Sequence, residues 1–253
     1  MPCLEISNCI KRFGGLLAVK DLNMKLNDGA LYGLIGPNGA GKTTVFNLIT
    51  GVYEPDQGSI RLEGKEIQGS KPSSIANLGI SRTFQNIRLF QSMTVLENVK
   101  LARHMRRKQG LLDVVLRTPR LHHEEEEIES DGLELLKIFK LDSLASELAL
   151  NLPYGSQRRL EIARALATKP KLLLLDEPAA GMNPLESLEL MHLIRWIRDE
   201  FKITILLVEH NMKVVMGVCE KIQVIDYGET IALGTPKEIQ DDPRVIEAYL
   251  GGA

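Results

Sequence analysis

Residues 36–44 read Gly36-Pro37-Asn38-Gly39-Ala40-Gly41-Lys42-Thr43-Thr44, a full match to the spacing G-x-x-x-x-G-K-[ST] that wraps backbone around phosphate. The glycines let successive N–H groups turn inward where a Cβ would obstruct them. Lys42 then offers a point charge to the β/γ bridge of a nucleoside triphosphate. The Thr43 hydroxyl offers a ligand to the Mg²⁺ that accompanies it. Around the loop, Leu31–Ile35 has the apolar run of a short buried strand. Val45–Ile49 continues as a helix that Gly51 can stop, so the phosphates would meet a helix N-terminus. Strand, loop and helix in that order argue against a glycine-rich turn that fits by chance.

A second group of reactive residues lies far along the chain. Leu172-Leu173-Leu174-Leu175-Asp176-Glu177 is an apolar strand ending in two acids. An acid at the carboxyl end of a parallel strand beside a phosphate loop is where Mg²⁺ is held. That role falls to Asp176, acting on the metal's water shell. Glu177, one step further out, is placed to orient or deprotonate an attacking water. The next apolar strand, Thr204–Val208, ends in Glu209-His210. A histidine there can donate to the γ-phosphate and help hold the water, although a lone His210 would more often be structural. Gln85, in Arg82-Thr83-Phe84-Gln85-Asn86, can reach metal and water as a neutral amide.

The elements that must position these residues follow from the pattern. The first 80 or so residues alternate short apolar runs with turn residues, a β-rich start interrupted by the phosphate-loop helix. Gly51–Gly58 is a turn cluster, and Ser59–Glu63 an alternating strand ending at Gly64. From about Thr94 to Ala167 the pattern becomes amphipathic and helical, a lobe inserted into an α/β core. The runs at 172–175 and 204–208, apolar throughout, are those of a parallel sheet buried on both faces. Leu185–Glu200 has the helical spacing of their crossover. Thr235-Pro236-Lys237-Glu238 is a helix start with an N-cap, Pro at the first position and Glu at the third. No internal repeat appears, so one nucleotide domain is expected.

The whole chain narrows the function classes. Its 253 residues carry a net charge of −2, with 44% hydrophobic and 25% charged residues. That balance makes no electrostatic case for nucleic acid or an anionic membrane. No apolar run approaches the roughly 20 residues that span a bilayer. The start, Met-Pro-Cys-Leu-Glu, lacks a basic and an apolar region, so no secretory signal is expected. Cys3, Cys9 and Cys219 are scattered and are expected as buried free thiols. The basic run Arg103–Lys108 reads as a solvated helix face, with a docking surface as the second reading. In His122-His123-Glu124-Glu125-Glu126-Glu127, acids in a helix first turn would complement the dipole without any metal. Leu133, Leu136 and Leu141 read as core packing.

On these motifs the chain resembles the ATP-binding subunits of ABC transporters over essentially its full length, and most resembles those of bacterial branched-chain amino-acid importers. The resemblance implies an α/β P-loop NTPase fold with a mixed sheet core, a β-rich N-terminal part and an inserted helical subdomain. The core would span about 1–90 and 165–253, and the helical subdomain about 91–164. Phe13, in Lys-Arg-Phe-Gly-Gly, would stack on adenine. Gln85 matches the Q-loop, Asp176-Glu177-Pro178 the Walker B end and His210 the switch histidine. The signature falls on Leu152-Pro153-Tyr154-Gly155-Ser156, where the usual Leu-Ser-Gly-Gly-Gln keeps only its leucine and second glycine. Pro153 removes both a hydroxyl and an N–H, so γ-phosphate contact falls to the Gly155 N–H, Ser156 and the helix N-terminus. The D-loop Ala180-Gly181-Met182-Asn183 ends in Asn where Asp is usual, with its geometry expected to survive.

The family also implies partners. The signature of one subunit completes the ATP site of another, so two chains, identical or related, would sandwich two ATP molecules. Residues 85–99, with exposed-looking Leu89, Phe90 and Met93, would receive a permease's coupling helix. A solute-binding protein would act through the permeases. The subunit would be cytoplasmic, on the inner face of the membrane, with no nucleic-acid partner. Residues 106–126 and the ending Ile246-Glu247-Ala248-Tyr249-Leu250 resemble the amino-acid importer subgroup. The rival readings are a lipid or lipopolysaccharide exporter ATPase, an ABC ATPase acting on nucleic acid or the ribosome, and a non-hydrolytic nucleotide-binding regulator. The second would bring a coiled coil, zinc loops or tandem domains, and Glu177 and His210 argue against the third.

Overall fold

The computed structural model describes residues 2–104 and 119–250. The chain divides into two compact units, 1–85 with 171–253, and 86–170.

The first unit contains two sheets. Strands β1 (Pro2–Phe13), β2 (Leu16–Asn27), β4 (Gln57–Leu62) and β5 (Lys65–Glu66) form an antiparallel sheet in the order β2-β1-β4-β5. The second sheet runs β10-β9-β3-β8-β7-β6, built from β3 (Leu31–Ile35), β6 (Ile80–Arg82), β7 (Leu172–Asp176), β8 (Thr204–Val208), β9 (Lys221–Asp226) and β10 (Glu229–Gly234). All its pairs are parallel except β9 with β10, so the sheet is mixed. Every residue of β3, β7 and β8 is buried, which is why these strands lack polar alternation.

Helix α1 (Lys42–Ile49) is held between the two sheets. Its Val45, Phe46 and Ile49 share one apolar cluster with Leu4, Ile6, Leu22 and Ile60 of the antiparallel sheet and with Leu34, Leu174 and Leu206 of the mixed one. This packing fixes the carboxyl ends of β3 and β7 at one edge of the core. The strand after the turn cluster starts at Gln57, two residues earlier than its alternation indicates, because Gln57 already pairs with Ile10. A short helix, α2 (Pro72–Leu78), follows before β6.

The second unit is helical. It contains α3 (Val95–His104), α4 (Pro119–Ile138) and α5 (Tyr154–Ala167), with a bridge between Thr94 and Leu148. Val95, Val99, Leu136, Phe139, Leu141 and Leu160 are buried. Two expectations change here. Helix α4 begins at Pro119 with no acid in its first turn, so Glu124–Glu127 lie beyond the reach of a first-turn dipole effect; His123 Nδ1 instead lies 3.4 Å from Glu127 one turn on. Of the three residues expected to be exposed at the 85–99 segment, only Phe90 is; Leu89 and Met93 are half-buried. Fully buried Asn98 causes this: its amide donates to the Phe90 and Thr94 carbonyls at 3.0 and 2.9 Å and accepts the Phe90 N–H. The loop is thereby folded down onto α3. The basic run's Arg103 is ion-paired with Asp131 and its His104 is half-buried; residues 105–108, and most of the 106–126 segment, lie outside the described residues.

The chain closes in the first unit with α6 (Pro184–Phe201), α7 (Met212–Val218), α8 (Pro236–Gln240) and α9 (Pro243–Leu250). Thr235 and Glu238 form the reciprocal cap that starts α8. All three cysteines are free and buried. Burial pushes the Cys9 thiol up to about 11 and the Cys219 thiol up to about 12, which keeps both protonated and unreactive.

Candidate active site

The phosphate loop closes on its own lysine. Lys42 Nζ donates to the Gly36 and Pro37 carbonyls at 2.7 and 2.8 Å. Burial lowers the ammonium from its ordinary value, while the Glu177 and Asp176 carboxylates raise it, so both acids lie within electrostatic reach of the loop. Gly41 takes φ 106°, and a Cβ there would meet the Ala18 carbonyl oxygen at 2.6 Å. Gly39, at φ 82°, faces open space instead. Helix α1 starts at Gly41 with no side-chain cap and no acid in its first turn. An uncapped helix start behind inward-turned amides fits an anion, because its N–H groups otherwise lack partners.

The two acids occupy different surroundings. Asp176 is buried, its N–H held by the Thr83 hydroxyl at 3.2 Å. Its Oδ2 accepts from Arg82 Nη2 at 2.7 Å, and both side chains are under a tenth exposed. Glu177 takes φ 47°, an uncommon conformation for a residue other than glycine and one found at functional sites. Its carboxylate meets two other predicted residues. Gln85 Nε2 donates to Oε2 at 2.8 Å, and His210 Nδ1 lies 3.3 Å from Oε1. Gln85, Glu177 and His210 are therefore one connected group, drawn from three strand ends of one sheet.

Two contributors to the site carry no local motif. Glu209, almost fully buried, accepts the N–H groups of Ala179 at 2.8 Å, His210 at 3.0 Å and Asn211 at 3.1 Å. One carboxylate thus joins the loop after Glu177 to the loop that carries His210. Arg82 is the other, tying Asp176 to Asn47 of α1 through Nη1 at 2.7 Å. A buried acid ending an apolar strand and an arginine three residues before a glutamine were the available signals. Neither identifies its remote partners, Ala179 for Glu209 and Asp176 and Asn47 for Arg82. At the D-loop, Asn183 accepts from the Leu185 and Glu186 N–H groups and Glu186 returns to its backbone, so asparagine serves as a complete helix cap.

Phe13 is partly exposed, edge-on to Tyr53 at a centroid separation of 5.0 Å. The Lys11 ammonium lies 5.5 Å from the centroid of its ring. Near the phosphate loop, a cavity of about 750 Å³ is lined by Asn38 and Gly39 together with Asp226, Tyr227, Arg244 and Tyr249. Burial pushes the Tyr249 phenol up to about 12, opposed by the backbone of Gly36.

In the helical unit, α5 begins at Pro153 with no side-chain cap and no acid in its first turn. The Ser156 N–H is already bound to the Pro153 carbonyl at 2.9 Å, so any ligand contact from Ser156 comes through its hydroxyl. Beneath this helix start lies a buried ion pair. Arg158 Nη1 meets Glu161 at 2.9 Å and Nη2 meets the Tyr154 hydroxyl at 3.2 Å. The other Glu161 oxygen accepts the Arg88 N–H.

For a divalent ion, the donors Thr43, Gln85 and Asp176 are all oxygen-bearing, the set that suits Mg²⁺. The described residues contain no cluster of three or more acidic, His or Cys ligands.

Comparison with known proteins agrees with this geometry. A family model described as ABC transporter matches residues 19–180, and one described as branched-chain amino acid ATP-binding cassette transporter matches residues 229–253. The chain is 48% identical to the high-affinity branched-chain amino acid transport ATP-binding protein BraF of Pseudomonas aeruginosa, over 100% of this chain and 99% of that one. It is 34% identical to the lipopolysaccharide export system ATP-binding protein LptB of Escherichia coli, over 99% and 98% of the two chains. The fold matches the crystal structure of MJ1267, an ATP-binding cassette of an ABC transporter in its ADP conformation, with a TM-score of 0.85, 33% identity and 99% of each chain covered. The phosphate loop, the acids at the end of β7 and these full-length matches together mean that the chain belongs to the ABC transporter family, as one of its ATP-binding proteins.

Proposed function

We propose that this chain is the ATP-hydrolysing subunit of an importer for branched-chain amino acids, and that it works as one half of a paired ATPase bound to membrane permeases. The observation that carries the catalytic reading is the convergence of Gln85 and His210 on the two oxygens of Glu177, with Lys42 coupled to the same carboxylate. The cargo reading rests on identity of 48% to a branched-chain amino-acid transport protein against 34% to a lipopolysaccharide export protein.

In this reading Gly36, Pro37, Asn38, Gly39, Ala40, Gly41, Lys42, Thr43 and Thr44 surround the phosphates of ATP. Phe13 offers its ring to adenine, with Lys11 and Tyr53 fixing its orientation. Thr43, Asp176 and Gln85 would hold Mg²⁺, which when bound neutralises charge on the β- and γ-phosphates. Glu177 accepts the proton of the attacking water. His210 and Gln85 keep its carboxylate aimed, and His210 can hydrogen-bond the γ-phosphate as charge develops. Gly155, Ser156 and the start of α5 would contact the γ-phosphate held by a second ATPase subunit, because an uncapped helix start favours an anion. Each chain is then half of two sites, and closure of the pair on ATP moves the permeases. In this reading the chain lies on the cytoplasmic face of the membrane, held there by the permeases. None of the described helices is long and apolar enough to cross a membrane. A solute-binding protein delivers cargo to those permeases.

Cells lacking their own branched-chain amino-acid ATP-binding subunit test this. Supplying this chain is expected to restore uptake of labelled leucine, and the Glu177→Gln variant is expected to leave it at background. Active ATP hydrolysis without leucine uptake would assign the motor to another cargo.

A further inference from the structure

Arg82 has no place in the nucleotide, metal or water contacts assigned above, yet its side chain is buried and held on several sides beside them. It ends β6, paired in register with Leu174, two residues before Asp176 on the neighbouring strand. Its Nη2 holds Oδ2 of Asp176 and its Nη1 holds the side-chain oxygen of Asn47, both at 2.7 Å. The guanidinium carbon lies 5.2 Å from the ring centroids of both Phe46 and Phe84. Its Nε is buried with no hydrogen-bond partner. A buried donor left unpaired is unfavourable, so the orientation of this fork is dictated by Asp176 and Asn47.

Asn47 lies four residues after Thr43 on α1, hence on the same helix face one turn along. The link from Asp176 through Arg82 to Asn47 therefore joins the two elements that carry Asp176 and Thr43, two of the three proposed metal-side donors.

We propose that Arg82 is a positioning residue for the divalent ion: it pins one oxygen of Asp176 and fixes that carboxylate against the phosphate-loop helix. The proposal rests on the reading of Asp176 as the metal-side acid. Lysine cannot replace it, since a single ammonium does not hold two acceptors in one plane as a guanidinium fork does.

Mn²⁺, whose spin signal reports binding directly, is the probe. Arg82→Met and Arg82→Lys are expected to weaken Mn²⁺ binding to the nucleotide-loaded chain by about 10- to 100-fold, the range for loss of an outer-shell partner. Affinity for ATP in EDTA is expected to stay at the wild-type level. Asn47→Ala keeps the ion pair, cuts the link to α1 and is expected to weaken Mn²⁺ less than either. Wild-type Mn²⁺ affinity in Arg82→Met would overturn the proposal, as would an equal loss of metal-free ATP binding, which would mark a purely structural role. Should the Arg82 variants fail to fold, wild-type Mn²⁺ affinity in Asn47→Ala overturns it alone. A wild-type chain that takes up no Mn²⁺ with nucleotide would instead refute the metal site itself.

Discussion

Exchanging Glu177 for glutamine is expected to lower ATP turnover by about 10²- to 10⁴-fold, the range for removing a general base, while ATP binding persists. The exchange preserves shape and removes only the ability to take a proton. Glutamine still offers one oxygen to Gln85 Nε2, which now lies at 2.8 Å from Glu177, so the loop's geometry is retained. Turnover measured under saturating ATP, beside equilibrium ATP binding, separates the two effects. Turnover within a few-fold of wild type would remove Glu177 from the role of base and leave it as an orienting group.

The second large effect concerns stability. Glu161→Leu is expected to destabilise the chain by about 3–5 kcal/mol, because breaking one side of a buried ion pair leaves an uncompensated charge. Arg158 is fully buried and Glu161 nearly so, so solvent screens neither. The same change strips the Arg88 N–H of its acceptor. Replacing both residues, Arg158→Met with Glu161→Leu, is expected to recover most of the loss, since an apolar pair carries no desolvation penalty. Denaturant unfolding of both variants checks this. A single variant no less stable than the double would show that the pair contributes little. Because Arg158 also binds the Tyr154 hydroxyl at the first residue of α5, the single variant should disturb the signature as well.

These two predictions lie at opposite ends of what the sequence makes legible. Glu177 is readable because strand, acid pair and phosphate loop are contiguous patterns whose spacing the chemistry constrains. The same holds for Lys42 and Thr43, and for the buried strands β7 and β8, whose unbroken apolar runs admit few other readings. Arg158 and Glu161 lie three residues apart on one helix, where an arginine and a glutamate ordinarily form an exposed pair. Only packing reveals that both are buried.

Arg82, Asn47 and Glu209 were illegible for a related reason. The contacts that matter, Arg82 with Asp176, Arg82 with Asn47 and Glu209 with Ala179, span 94, 35 and 30 residues, separations at which no local spacing rule operates. Leu89 and Met93 misled in the other direction. Their types suggested an apolar surface, but the Asn98 side chain draws the loop inward through hydrogen bonds that composition does not disclose. Phe13 became a candidate through family resemblance alone, since a partly exposed aromatic near a strand end has no chemistry of its own to announce.

The central claim is that ATP is held at the loop from Gly36 to Thr44, with its lysine as the charge that secures the phosphates. Calorimetric titration of the full chain with ATP in the presence of Mg²⁺ tests it most directly, set beside the Lys42→Ala variant. Saturable binding of one ATP per chain, abolished or severely weakened in the variant, is the predicted result. Undiminished ATP binding by a folded Lys42→Ala chain, or none by the wild type, would contradict it.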